Sequence, residues 1–527
     1  MLSEEKEVLE YIKEAFSLRS QELYKPAVEM LYKALALDND NIEVLYQLGE
    51  LYALMKNHTR AAGYLDQVIA KNPGHTESLR LYKKITEDLN DFEKSLSFAE
   101  KLFELNKNTE DLKEIIRLAG KLKLTDKIKT YLTTDCTDVI YEIANALYDN
   151  GEIQTAKELL TKHLNTDDEN VKMLLGKIYF DENNLEKSRE IFESFGKNTD
   201  NAEVLNYQGL FALEDMNFTE AIKCFSKASS INKNNPVYFY NLGNAYFFNG
   251  WMEEARNAYS KAIYLAPDNM DYRYSLCYLY YETKDFDKCK KEADAILSAC
   301  PKHYSTRVLK ALLLDNNNEF MQAKNILEEN VKEGCDDDFT LLSLGKTYSL
   351  LDMFEKAEKT ILKVIERNPD NLNYITDLAD IYIREKNYDK SLELVQKTIN
   401  LNPNYVYGYV LGAKTAYLSG DFETCKSYAQ EALTLDMNCS EGYYYLALVR
   451  INEEDYEEAV ECMKRAITYD VTNPKYYAEM SKIYKAQNNI KTALEYIAEA
   501  ESIDHSTEYK LMYQELASLN RKKFLTN

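Results

Sequence analysis

From Pro236 to Thr507 one pattern returns every 34 residues, eight times in phase, with no insertion or deletion. No other feature constrains the fold so tightly. A stretch this short cannot bury its own apolar face, so each copy must pack on the next and the core runs along the array. The copies begin at 236, 270, 304, 338, 372, 406, 440 and 474. With Pro236 numbered as slot 1, slot 8 reads Gly243, Cys277, Ala311, Gly345, Ala379, Ala413, Ala447 and Ser481. Slot 20 reads Ala255, Cys289, Ala323, Ala357, Ser391, Cys425, Ala459 and Ala493.

Within one copy the spacing predicts two helices of about 14 residues joined by a short turn. Slots 4, 7, 8 and 11 make one apolar face, in the copy at 236 Phe239, Leu242, Gly243 and Tyr246. The second helix answers with slots 20, 24 and 27, here Ala255, Tyr259 and Ala262. Small residues at slots 8 and 20 let the two backbones approach, and larger neighbours fill the grooves beside them. Pro267, Pro301, Pro369 and Pro403 sit at slot 32, where proline ends one helix and admits the next. Only 16 glycines and 8 prolines interrupt the chain, which fits an all-helical fold.

These slots resemble those of the tetratricopeptide repeat (TPR) family, with aromatic Phe239, Tyr409, Tyr443 and Tyr477 at slot 4 in place of the family's usual tryptophan and Arg273 and Arg307 in two copies. The resemblance implies an all-α fold, a right-handed α-α superhelical solenoid of antiparallel helix hairpins. Backwards from Pro236 the pattern continues at 202, at 169 one residue short and at 137 shorter still; it recurs in phase at 8, 42 and 76. That makes fourteen recognisable units. Residues 1–109 form N-terminal units, 110–136 a degenerate short unit that suits a bend, 137–507 the main array, and 508–527 a capping helix and tail.

A net charge of −24 argues against nucleic acid and anionic membrane as partners. No apolar run approaches the length of a membrane span, and the N-terminus MLSEEKEVLEYI lacks a secretory signal pattern. Nine cysteines without a CxxC pair point to a reducing compartment, so a cytoplasmic protein is expected. Cys277, Cys289 and Cys425 read as small buried residues. No cofactor, metal site or catalytic residue is expected. His58, His75, His163, His303 and His505 are scattered without ligand spacing. Gly345-Lys346-Thr347 lacks the preceding glycine of a phosphate loop and falls in mid-helix. Asp336, Asp337 and Asp338 suit a helix N-terminus better than a calcium loop.

The first helix of each unit carries a second stripe at slots 2, 5, 6, 9, 12 and 13. The resemblance places this stripe on the concave surface. It is aromatic in two zones. One contains Tyr240, Asn241, Asn244, Phe247 and Phe248, followed by Tyr274, Tyr278 and Tyr281. The other contains Tyr407, Tyr417, Tyr444 and Tyr445. The unit between them offers Asn373, Thr376, Asp377, Asp380 and Arg384. Aromatic rings can grip apolar side chains while Asn241 and Asn244 bond an extended backbone. The expected function is thus a non-catalytic scaffold that holds protein or peptide segments. The alternative is a structural subunit of a large assembly, in which the apolar stripe could bury a second copy of the chain as a homo-oligomer. The chain has neither the Asn-and-basic triplet of a chaperone-tail clamp nor an asparagine ladder at slot 6, which reads Tyr207, Asn241, Ser275, Leu309, Ser343, Asp377 and Leu411.

Overall fold

The computed structural model of the chain describes residues 2–132, 139–163, 168–196 and 198–526. Among these residues there are 31 α-helices and no strand. The first thirty follow one another as the first and second helices of successive units, and Thr507–Thr526 stands last. The protein is therefore an all-α array of helical hairpins. It divides into two compact units, Met1–Asn249 and Gly250–Asn527.

Every hairpin turns the same way. The residue at slot 15 is left-handed in each repeat: φ is +56° at Met216, +59° at Lys284, +63° at Asn318, +64° at Lys386 and +87° at Gly420. The N–H that follows it, at slot 16, reaches back to the carbonyl of slot 11. Asn57 to Tyr52, Asp285 to Tyr280 and Asn489 to Tyr484 all span 2.8 Å. The N–H of slot 15 bonds to slot 12, as Lys56 does to Ala53 at 2.9 Å. This pair of bonds satisfies carbonyls that a helix end would otherwise leave open, and it fixes the exit angle of the chain.

Several second helices then start on a capping side chain at slot 16, although Trp251, Glu319, Met353 and Asn387 make no such bond. Asn57, Asp285 and Asp421 each accept from the backbone N–H three residues on. Slot 34 caps the next first helix in the same manner through Asn41, Asn235, Asn269, Asn371 and Asn473. His75 and His303 occupy this slot too, and their Nδ1 atoms accept from Ser78 and Thr306. Two of the scattered histidines are thus helix caps. Asp337 caps Asp338–Leu350 by accepting from Thr340, the N-terminal role expected of that acidic run.

The hairpin interior follows the predicted slots. Ala323, Ala357, Ala413, Ala447 and Ala493 are fully buried at slots 8 and 20. A Cβ built on Gly345 would lie 2.5 Å from Ile361 Cδ1, so any side chain there would have to push Ile361 aside. Burial also reaches slots 3 and 10, which periodicity within one copy does not single out. Tyr238, Tyr272, Thr306, Thr340 and Tyr476 are buried at slot 3, and Leu279, Thr347, Thr415, Val449 and Ile483 at slot 10. Slot 3 faces the preceding unit: the Tyr476 hydroxyl bonds Ser440 Oγ at 3.2 Å, and a Cβ on Gly442 would lie 2.9 Å from Leu433.

The degenerate stretch keeps a full first helix, Thr109–Lys121, but its second helix is only Thr125–Lys129. The rest of that stretch, from 133, lies outside the described residues. With so short a second helix, the flanking first helices touch directly: a Cβ added to Gly120 would lie 3.1 Å from that of Ala146. Leu112, Ile116, Ile128, Ile143 and Leu147 share the core there. At the other end, Tyr509 and Leu516 of Thr507–Thr526 bury the faces of Ala493, Ile497 and Ala500. The one tryptophan, Trp251, precedes the helix Met252–Leu265 and is 51% exposed.

The shared turn gives a direct test. Lys284 is exposed and left-handed, so Lys284→Val should lower stability by roughly 1–2 kcal/mol while Lys284→Gly should not. Urea unfolding of the two variants checks this; equal midpoints would refute the turn assignment.

Candidate functional site

The candidate surface is built from first helices only, because second helices spend their apolar faces inside the hairpins. In Met1–Asn249 it includes the helix Pro236–Phe248. Asn241 is buried there, and its Nδ2 donates to Asn206 Oδ1 at 2.8 Å, an amide pair linking consecutive first helices. One of the two Asn241 amide hydrogens is therefore already used. Tyr240, Asn244 and Phe247 are half-buried. Phe248 is 60% exposed; its ring stacks on Phe218 at 6.1 Å and meets Phe247 edge-on at 5.6 Å. One unit earlier, Tyr207 stacks on Phe192 at 4.2 Å, and burial pushes its hydroxyl pKa up.

Several charged groups in this compact unit are paired with one another. Arg117 bonds Glu87 and Glu114 at 2.8 and 2.7 Å, and Lys83 bonds Glu114 at 2.6 Å. Burial alone would raise the Glu114 pKa, but bonds from Arg117 and Lys83 overcome it and hold the carboxyl at about 2. Elsewhere a cleft is lined by Arg189, Gln208, Phe211 and Asp215. Its guanidinium is bound to Asp215 at 2.6 Å and lies 5.0 Å over the Phe211 ring.

In Gly250–Asn527 the stripe has three parts. On Met270–Glu282, Tyr274, Tyr278 and Tyr281 stand one above another, with ring centres 6.3 and 6.5 Å apart. Tyr274 also contacts the His303 ring at 5.6 Å, and the Tyr281 hydroxyl accepts from Asn316 at 3.3 Å. The middle part is an ion-pair strip across successive first helices. Lys346 bonds Asp377 at 2.8 Å, and Lys414 and the Tyr407 hydroxyl both bond Asp380. Burial raises the Asp377 pKa despite Lys346. Tyr407, 44% exposed, therefore belongs to the polar strip.

The third part is a tyrosine basin on Val406–Ser419, Ser440–Asn452 and Pro474–Ala486. Tyr417 lies 6.4 Å from Tyr445, Tyr445 lies 5.2 Å from Tyr444, and Tyr444 lies 5.2 Å from Tyr476. Burial pushes up the pKa of Tyr417, Tyr444 and Tyr445. Yet among the described residues none of these three hydroxyls has a hydrogen-bond partner, and none is sealed from solvent. Tyr476, by contrast, spends its hydroxyl on Ser440. Sequence reasoning singled out Tyr417, Tyr444 and Tyr445 but not Tyr476, whose slot 3 position turns towards the preceding unit.

Among the described residues no group of three or more His, Cys, Asp or Glu could hold a metal ion, and no helix is long and apolar enough to cross a membrane. Gly345, Lys346 and Thr347 lie inside Asp338–Leu350, so they form no phosphate loop.

Comparison with known proteins is consistent along the chain. Models described as tetratricopeptide repeat match residues 18–113, 237–269 and 440–471. A TPR repeat model matches 217–250, and a model described as "Psidin, N-terminal TPR repeats region" matches 271–407. The N-terminal acetyltransferase A complex auxiliary subunit NAA15 of Arabidopsis thaliana is 27% identical over 141 residues, covering 27% of this chain and 16% of that protein. The anaphase-promoting complex subunit CDC16 of Saccharomyces cerevisiae is 23% identical over 337 residues, covering 60% of this chain and 38% of that protein. The chain thus spans well under half the length of these curated relatives. Among solved structures, the APC/C hetero-tetramer Cut9–Hcn1 aligns with TM-score 0.46 and 13% identity, over 84% of this chain and 96% of that one. Yeast Tom70 aligns with TM-score 0.38 and 14% identity, over 98% and 96%.

Two outcomes test the site's construction. Asn241→Ala strands the buried Asn206 amide and should cost about 1–3 kcal/mol, while the double variant Asn206→Ala/Asn241→Ala should cost less than the two singles summed. Urea unfolding of all three variants reads this directly. Glu114 has a folded pKa below its ordinary value, so its stabilisation is present above the ordinary carboxylate range and is lost as pH falls towards about 2. Glu114→Gln should therefore unfold more easily than wild type at pH 7, and the gap should close on acidification.

Proposed function

Because the chain is a tetratricopeptide repeat protein, we propose that it acts as a non-catalytic scaffold that holds protein or peptide segments along the second stripe of its first helices. The observation that carries this reading is the tyrosine basin. Its half-buried hydroxyls still reach solvent, so a ligand acceptor can replace the water that serves them. Tyr417, Tyr444 and Tyr445 offer three donors beside apolar ring faces, with no acceptor supplied by the protein. An extended segment would bring carbonyl acceptors to the hydroxyls and side chains to the rings. Tyr274, Tyr278 and Tyr281 in the same compact unit would lengthen the contact, and Tyr240, Asn244, Phe247 and Phe248 offer a separate candidate contact in the other unit.

A second reading makes the chain a structural subunit of a multiprotein assembly. Its support is that the two curated relatives described above are named as subunits of complexes. The two readings share the surface and differ in how long the partner stays. Under either, the partner is protein, since a net charge of −24 disfavours nucleic acid, and the cytoplasm is the compartment in which we expect it.

The test removes hydroxyls without removing rings. In Tyr417→Phe/Tyr444→Phe/Tyr445→Phe no bond within the protein is lost, so thermal unfolding should match wild type. Each bond to a ligand is worth roughly 0.5–1.5 kcal/mol, so capture of partners from native lysate should fall by about tenfold or more. Undiminished capture with intact folding would overturn the assignment of this basin.

A further inference from the structure

In the unit that opens at Met270 both close-crossing slots are cysteine. Slots 8 and 20 are where the two helices of a hairpin approach most closely; apart from Cys425, the other seven in-phase units place Gly, Ala or Ser there. Cys277 on Met270–Glu282 and Cys289 on Phe286–Ala299 are both fully buried free thiols. Their sulfurs are 3.6 Å apart, in van der Waals contact, and Cys277 Sγ lies 3.1 Å from the Cys289 carbonyl oxygen. Cys335 and Cys439 lie instead against the carboxylates of Asp337 and Glu441.

We infer that Cys277 and Cys289 are a site of reversible oxidative modification, forming a disulfide that staples this hairpin when a hydroperoxide is the oxidant. Disulfide sulfurs stand about 2 Å apart, so the pair must close from contact distance, which two facing side chains can do by small rotations. Either thiol can attack first once the hairpin opens; the step is the same with the roles exchanged and is written here for Cys289. Its sulfur takes the terminal peroxide oxygen, the O–O bond breaks, and the other oxygen leaves, after gaining a proton, as an alcohol or, from hydrogen peroxide, as water. Cys277, giving up its proton, then attacks the sulfenic sulfur of Cys289. The S–S bond forms and the sulfenic oxygen leaves as water. Two thiols are oxidised by two electrons and one hydroperoxide is reduced.

Both thiols are sealed from solvent, so the reaction waits for local opening of the hairpin. The product would oppose that opening, because the bond ties the two helices at their crossing. Tyr274, Tyr278 and Tyr281 stand on the stapled helix, so oxidation would stiffen one aromatic part of the candidate surface. The inference does not depend on what that surface binds.

The experiment uses the full chain treated with hydrogen peroxide. Remaining thiols are blocked with iodoacetamide in urea, and peptides are mapped without reduction. The expected result is a Cys277–Cys289 linked peptide that dithiothreitol separates and that Cys289→Ala abolishes. Amide exchange across Met270–Glu282 and Phe286–Ala299 should slow by about tenfold on oxidation. Alkylation of both cysteines, bridges to other cysteines, or sulfinic acid without a bridge would each overturn the proposal.

Discussion

The array depends on one left-handed residue per hairpin. An L-residue pays for that conformation, and here Lys, Asn, Asp, Glu and Met pay it more often than glycine does. The two backbone bonds that close around slot 15 compensate, since they satisfy carbonyls that would otherwise be left open. Once the turn is set, the second helix can return along the first only at one angle. That angle brings slots 8 and 20 into contact, which is why those slots hold small residues. Where slots 16 and 34 carry a capping side chain, it starts the helix at the residue the turn delivers.

The first helices are left with a stripe that the hairpin does not use, and the array treats its parts differently. Between Lys346 and Lys414 it is closed by ion pairs to Asp377 and Asp380. Where Asn206 meets Asn241 it is closed by a buried amide bond. At Tyr417, Tyr444 and Tyr445 it stays open chemically, with rings packed on one another and hydroxyls unspent. The same helix position therefore serves cohesion between repeats in one place and is offered outwards in another.

What could be read from the sequence was whatever repeats within a single copy. Alanine and cysteine at slots 8 and 20 reported a close crossing, and the structure buries them. Asp337 reported a helix start. Slot 15 was illegible because its residues share a backbone conformation and no side-chain chemistry. Slot 3 was illegible for another reason: it packs on the preceding unit, so Tyr476, Thr340 and Gly442 answer to different neighbours and show no common size. His75 and His303 hid their role because histidine is an uncommon cap beside the asparagines that hold the same slot. The partner of Asn241 lies at slot 5 of the preceding unit, a relation that periodicity inside one copy cannot express.

The chain carries 43 tyrosines spread along the array and a single tryptophan, Trp251, at the start of one helix. Nature has thereby labelled one hairpin turn. Tryptophan emission senses the solvation of that turn alone, whereas tyrosine absorbance averages over nearly every repeat. In a protein whose units contact chiefly their neighbours, those signals need not move together. Coincident curves would describe a chain that melts as one body, and separated curves would measure how far cooperativity spreads from the middle of the sequence.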